Sequence, residues 1–307
     1  MSMLEQNQLK IKELEQEILN LDPSTKEFKS KLNELNKIKK ETYSNLSHWD
    51  RVLIARSESR LKSPELVKRL FTNFIELHGD QLYSDDQSIL SGIAFLGDKP
   101  VTVLAQAKGM NLNESLKRNF GMTSPEGFRK TLRLAYEAEK FNRPIITIVD
   151  TSGAYPGKGA EERGQARAIA TNLMEFSKLR VPVIAIVLSE GGSGGALALT
   201  VSDYIFMFEN AIYSVLSPEG FSSILFKNTK TAEESAEIMK LTSHDLKELN
   251  IIDEIIDEPL GGITSPSEEF INDLRLKLIN KINELEKENK DTLVNNRYNK
   301  FRRIGLE

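Results

Sequence analysis

The chain has 307 residues, 45 acidic against 41 basic, with three histidines and no cysteine. At roughly 100–200 residues per domain this allows one large domain or two small ones. Hydrophobic residues at 39% and charged residues at 28% describe a globular chain with a core, and exclude wholesale disorder.

Without cysteine there are no disulfides, thiolate zinc sites, iron–sulfur clusters or cysteine nucleophiles. His48, His78 and His244 are too far apart in sequence to suggest a histidine-rich metal site. A net charge of −4 does not suggest a dedicated nucleic-acid binder. No apolar run reaches the roughly 18 residues of a membrane span. The N-terminus is polar and has no signal h-region, so the expected location is the cytoplasm.

Residues 1–47 lack glycine and contain one proline, Pro23. Leu4, Ile11, Leu14, Ile18 and Leu21 recur at helical spacing. Asp22-Pro23-Ser24 breaks the pattern, because proline removes a donor and restricts the residue before it. Phe28, Leu32, Leu35 and Ile38 resume it. The pattern predicts a helical hairpin with a narrow apolar seam, which must bury against the chain's own core or against a partner.

In the middle of the chain, β-branched runs at Val101–Leu104, Ile145–Val149, Val183–Leu188 and Tyr204–Phe208 predict strands. Each run is apolar or β-branched throughout, as strands covered on both faces are. Between the second and third, Ala160–Leu179 has helical periodicity; after the third comes Gly194–Val201, small and apolar. Alternating strands and helices indicate an α/β domain with parallel strands. From Gly261-Gly262 onward the chain becomes helical again, with Pro266-Ser267-Glu268-Glu269 as a helix start and Phe270, Leu274, Leu278, Ile282 and Leu285 as its stripe. The basic stretch Asn295–Arg303 is expected to be less ordered. This divides the chain into a hairpin (1–47), a central domain (48–262) and a helical extension (263–307).

Eight of the 18 glycines fall between Gly153 and Gly195. They form two segments, Asp150–Gly157 after the Ile145 strand and Glu190–Ala196 after the Val183 strand. Both lie at the C-terminal ends of parallel strands, where α/β folds place ligand sites. A strand, a glycine turn and a helix start aim several backbone N–H groups at one point, which suits an oxyanion. Other motif readings compete. Gly191-Gly192-Ser193-Gly194-Gly195 satisfies G-x-S-x-G, but a hydrolase needs a histidine after it in the chain, and only His244 follows. Gly153–Lys158 fails as a phosphate loop, with three residues between its glycines and Gly159 where Ser or Thr is required. Two tight turns without chemistry remain the plain structural alternative.

Several segments resemble a known family. Arg118–Met122, Ser124–Lys130, Asp150–Gly157, Ala160–Gln165, Glu190–Ala198 and Ser217–Gly220 are similar to the alpha subunits of bacterial acetyl-CoA carboxylase carboxyltransferase. Trp49–Val52, Glu76–Asp80 and Leu246–Asp253 add to the resemblance, which runs from about Trp49 to Gly262. It implies a crotonase-like α/β fold, a spiral of ββα units with N- and C-terminal helical extensions. It also implies half of an enzyme, completed by a beta subunit in an α2β2 assembly. The implied reaction moves a carboxyl group from carboxybiotin, carried on a biotin carboxyl carrier protein and charged by a separate biotin carboxylase, to acetyl-CoA. The product is malonyl-CoA for fatty acid synthesis. No cofactor is expected to be bound permanently by this chain, and no metal, nucleic acid or membrane is expected to take part.

The implied chemistry places negative charge on a ureido oxygen and on a thioester oxygen, and preorganised backbone donors suit both. The expected donors are the N–H groups of Gly195 and Ala196, with Gly194 making room and Gly153 and Ala154 lining the facing wall. No side-chain general base stands out, and the freed ureido nitrogen can take the acetyl proton. Lys108, Arg118, Arg129, Lys130 and Arg133 are candidates for CoA phosphates or an acidic partner, although Lys130 and Arg133 read better as a solvated helix face. A free-standing crotonase-type hydratase or isomerase would need a glutamate near the loop, for which Glu190 is the local candidate. A non-enzymatic scaffold built on the terminal helices is the fourth reading. The chain departs from the family at Ser59–Lys62, Glu65-Leu66, Thr200, Phe226 and Thr264-Ser265, none of which lies in the two glycine segments.

Overall fold

The computed structural model describes residues 3–306. The chain opens with α1 (Met3–Leu19) and α2 (Lys26–Tyr43). The turn between them is the Asp22-Pro23-Ser24 break. Asp22 Oδ1 accepts the Ser24 N–H and hydroxyl, and Thr25 caps α2 by accepting from Phe28 N. Ile11, Leu14 and Leu35 bury against one another, with Ile18, Ile38 and Tyr43 beside them. The seam therefore closes chiefly on itself, apart from the central core.

Next come α3 (His48–Ala55), α4 (Ser63–Leu70), β1 (Thr72–Glu76), β2 (Ile89–Leu96), β3 (Lys99–Gln106), α5 (Leu112–Lys117), α6 (Pro125–Lys140) and β4 (Ile145–Thr151). Then follow α7 (Lys158–Glu162), α8 (Gln165–Phe176), β5 (Val183–Gly192), α9 (Ser193–Thr200), β6 (Tyr204–Phe208) and β7 (Ile212–Ser214). The chain ends with α10 (Pro218–Leu225), α11 (Ala232–Met239), α12 (Ser243–Glu248), β8 (Glu254–Ile256), α13 (Glu268–Leu285) and α14 (Lys290–Arg303).

The strands form one sheet in the order β1-β2-β3-β4-β5-β6-β8, with β7 branching off β5. β1, β2 and β3 pair antiparallel; from β3 onward all pairing is parallel. The four apolar runs read in the sequence are β3 to β6. β4 is buried along its whole length, and β5 up to its last residue, because helices cover both faces. β1, β2, β7 and β8 escape that reading. β1 is mostly exposed, β7 and β8 have three residues each, and Ser91-Gly92 interrupts β2.

A short second ladder runs along the C-terminal ends of the parallel strands. The end of β5 pairs with β7 (Gly191↔Tyr213, Gly192↔Ser214). Single bridges join Thr123 to Ala154 and Ile212 to Thr242. The glycine segments lie in this ladder.

Two expectations are corrected. Ala160–Leu179 is not one helix: Gly164 takes φ +83, a left-handed conformation open to glycine, and separates α7 from α8. Asn295–Arg303 is not loosely ordered but lies in α14. The Arg297 guanidinium is buried there. It donates to Asp203 Oδ1 and Oδ2 at 2.8 and 2.7 Å and to the carbonyls of Phe176, Leu179 and Val181. Lys300 pairs with Asp253. Its basic charge is matched by acids distant in sequence, so the segment docks. On α13, Ile271, Leu274, Leu278, Ile282 and Leu285 join the main core with Leu293 of α14, while Phe270 sits at the margin.

Candidate active site

The first glycine segment leaves β4 at Thr151. The Thr151 hydroxyl donates to the Gly153 carbonyl at 2.7 Å and accepts its N–H at 3.1 Å. Tyr155 N donates to Thr123 O, and buried Gln165 spans the Thr123 and Tyr155 carbonyls through Nε2. The loop is thus pinned to the Thr123 bridge and to α8. Tyr155 and Pro156 shape it, as their residue types suggest.

The second segment leaves β5 and enters α9 with Gly192 as N-cap. The two loops touch backbone to backbone. A Cβ on Gly192 would lie 2.1 Å from Ser152 O; one on Gly195 would lie 2.6 Å from both Ala154 N and Gly153 C. No real Cβ contact is that short, so both positions must be glycine. Gly194 faces more open space, with the Ile169 side chain 3.5 Å from where a Cβ would stand. The structure therefore brings Gly153, Ala154, Gly194 and Gly195 together, with Ala196 fully buried behind them.

The start of α9 also bears on the donors. Helix α9 begins at Ser193, and the first N–H groups of an α-helix have no acceptor within it. The positive end of the helix dipole lies with them. The expected donors, Gly195 and Ala196, lie in this first turn. Ser193 is exposed with φ +54, a left-handed conformation that costs a non-glycine residue roughly 1–2 kcal/mol.

Charged groups buttress the loops from behind. Lys108, just beyond β3, places Nζ 3.0 Å from Asp150 Oδ1 and 3.3 Å from Glu190 Oε2. It thereby bridges the first residues of both glycine segments. Burial pushes the Lys108 ammonium down, but Asp150 and Glu190 hold it above its ordinary value. Arg56 takes the other oxygen of Glu190 at 2.9 Å and reaches Glu219 at 2.8 Å. Glu190 is thus held between two cations, an arrangement that does not leave it free to act as a general base.

The other basic candidates also have internal partners. Arg118 donates to Gln87 O, Arg129 pairs with Asp80, and Arg133 donates to Gly79 O. The solvated-face reading is wrong for Lys130. It is 1% exposed and donates to Asp85 Oδ1, Asp86 O and Ile89 O. Helical spacing alone could not show that the acidic loop 79–86 folds over that face of α6.

Beside Ser193 and Gly194 opens a largely apolar groove of about 410 Å³, walled by Leu197, Tyr213, Val215 and Phe301 among others. No histidine lines it. His48 is held between Glu237 and Asp245, and His78 pairs with Asp85. Among the described residues no group of three or more acidic or histidine side chains is arranged to hold a metal ion, and no helix is long and apolar enough to cross a membrane. Sequence reasoning missed Gln106, Arg56 and Arg60. Gln106 donates to Gly195 O. Arg60, at one of the family departures, forms a buried pair with Glu258 at 2.7 Å and donates to Leu188 O and Ser189 Oγ behind β5. No local motif announces them, because their partners are far along the chain.

Comparison with known proteins identifies the family and the fold. The family described as acetyl co-enzyme A carboxylase carboxyltransferase-like matches residues 1–305. An acetyl-coenzyme A carboxylase carboxyl transferase subunit alpha of Staphylococcus haemolyticus is 50% identical over 266 residues, which is 87% of this chain and 84% of that protein. One from Clostridium botulinum is 52% identical over 259 residues, 84% of this chain and 94% of that protein. Among solved structures, a transcarboxylase 12S chain aligns with TM-score 0.61 at 18% identity, covering 78% of this chain but 45% of that one. A chain of a Pseudomonas malonate decarboxylase hetero-tetramer solved with coenzyme A aligns with TM-score 0.56 at 18% identity, covering 68% of this chain and 84% of that one. These likenesses bear out the crotonase-like α/β fold with helical extensions.

Proposed function

Since the chain belongs to the acetyl-CoA carboxylase carboxyltransferase family as an alpha-type subunit, we propose that its paired glycine loops form the biotin-side half of a carboxyl-transfer site. The reaction converts acetyl-CoA to malonyl-CoA in fatty acid biosynthesis. The observation that supports the site assignment is the enforced contact of Gly195 with Gly153 and Ala154, which joins the two loops beside an apolar groove lined by Ser193 and Gly194.

These residues fit a biotin headgroup. The groove has room for an apolar bicyclic ring, and α9 begins beside it, the first turn of a helix being where N–H groups can meet a ureido oxygen. Carboxybiotin, when bound, supplies the carboxyl group and afterwards a basic ureido nitrogen. This chain's task is electrostatic. Gly195 and Ala196 N–H donate to the oxygen that gains charge, Lys108 and Arg56 hold the loop origins still, and the groove walls exclude water. A single such donor is worth roughly 10²–10³ in rate. Gly194 makes room for the pair, and Gly153 and Ala154 line the facing wall.

We further propose that a beta subunit covers the groove in an α2β2 assembly and brings the thioester side, with a biotin carboxyl carrier protein and a biotin carboxylase feeding the reaction in the cytoplasm. No cofactor is held permanently by this chain. Residues 48–262 carry the loops, the 1–47 hairpin is an appended element, and 263–307 is an extension docked on the core.

The test is reconstitution. The purified chain alone should form no malonyl-CoA from acetyl-CoA and carboxybiotin, and adding the beta subunit should restore the reaction. Hydration or isomerisation of an acyl-CoA by the isolated chain would overturn the proposal in favour of a free-standing enzyme.

A further inference from the structure

Gln106 is the last residue of β3, and its side chain is completely buried. Its amide Nε2 donates to the Gly195 carbonyl at 2.7 Å. Its Oε1 has no hydrogen-bond partner among the described residues. A buried amide with half its polar capacity unpaired is a poor way to stabilise a core, since the unpaired acceptor carries a desolvation cost that an apolar residue of similar volume would avoid. The single bond it makes lands on the one helix residue whose backbone already presses on the opposite loop.

We infer that Gln106 is a positioning residue for carboxyl transfer. It fixes the peptide plane between Gly195 and Ala196 and so the direction of the adjoining N–H groups. Gly195 is then clamped on two sides, by Gly153-Ala154 against its Cα and by Gln106 on its carbonyl. Without the second clamp, the first turn of α9 can rock about its contact with the first loop. A donor displaced by about 1 Å can cost on the order of 10² in rate. Thr147 provides an internal comparison. Its hydroxyl donates at 2.6 Å to Leu199 O, one turn further along the same helix and away from the donors.

This inference rests on the carboxyltransferase reading, so every variant is assayed in the reconstituted alpha–beta complex beside wild type. Gln106→Met should keep the thermal midpoint, keep KM for acetyl-CoA, and lower kcat about tenfold or more. Thr147→Val should leave kcat within about twofold. Gln106→Glu adds a readout that a structural role would not move. Only its protonated carboxyl can donate to Gly195 O, so its activity relative to wild type should rise as pH falls. A wild-type kcat in Gln106→Met overturns the inference. If that variant fails to assemble, a flat relative pH profile for Gln106→Glu overturns it instead. A wild-type complex that forms no malonyl-CoA would count against the functional reading itself, a result distinct from both.

Discussion

Gly195 and Ala154 approach so closely that a single methyl group between them is excluded: a Cβ on Gly195 would stand 2.6 Å from the Ala154 nitrogen. That contact joins the C-terminal ends of two neighbouring parallel strands into one donor surface. It makes the glycine a requirement of shape as well as of backbone freedom.

Gly195→Ala should therefore lower carboxyl transfer by about 10² or more, while the chain still folds and binds its beta partner. Overpacking of this kind costs about 1–3 kcal/mol, which a thermal melt reads. Ser193→Ala should stay within a few-fold of wild type, because the side chain is exposed and no histidine lines the groove beside it. Loss of nearly all activity in Ser193→Ala, with Gly195→Ala active, would favour a serine nucleophile.

Asp85 governs part of the acid stability. Burial alone would raise its carboxyl, but the Lys130 ammonium, the Gly79 N–H and His78 hold it down to about 2, against an ordinary 3.8. A carboxyl depressed in the folded state stabilises fully above its unfolded value and stops doing so as pH falls through the folded one. Asp85→Asn should thus be less stable than wild type at neutral pH, and the gap should narrow between about pH 4 and pH 2. Denaturant titrations at several pH values measure it, and a gap independent of pH would refute the assignment.

Arg297 ties α14 to the core through Asp203 and three carbonyls. Both side chains are essentially inaccessible. Arg297→Met should cost about 3–5 kcal/mol, because it strands a buried carboxylate. Adding Asp203→Asn should return part of the loss, since a neutral amide is cheaper to bury than an unpaired charge. If the double variant is no more stable than the single one, the pair is not what holds the helix.

Much of the fold was legible locally. Apolar, β-branched runs long enough to be covered on both faces marked β3 to β6, because a strand buried on both sides has no solvent face to carry charge. The Pro23 break and the seams beside it marked the hairpin, since helical spacing is a property of nearest turns. The Leu274, Leu278, Ile282 and Leu285 stripe marked α13 for the same reason. The glycine clusters marked the site, because close backbone approach leaves its trace as missing side chains.

What the sequence could not show is which charges meet. Lys130 and Arg297 look like surface residues until a loop and a strand end fold over them, and Arg297 finds Asp203 across 94 positions of chain. Gln106 finds Gly195 across 89. Edge strands too short or too exposed to show a pattern also awaited the sheet. By itself the sequence determined the family, the central strands and the glycine loops, since these depend on local periodicity and on residues that are absent. Only the tertiary structure decided the partners of the buried charges and the grip on Gly195. These depend on distances between groups that the chain brings together only when it closes.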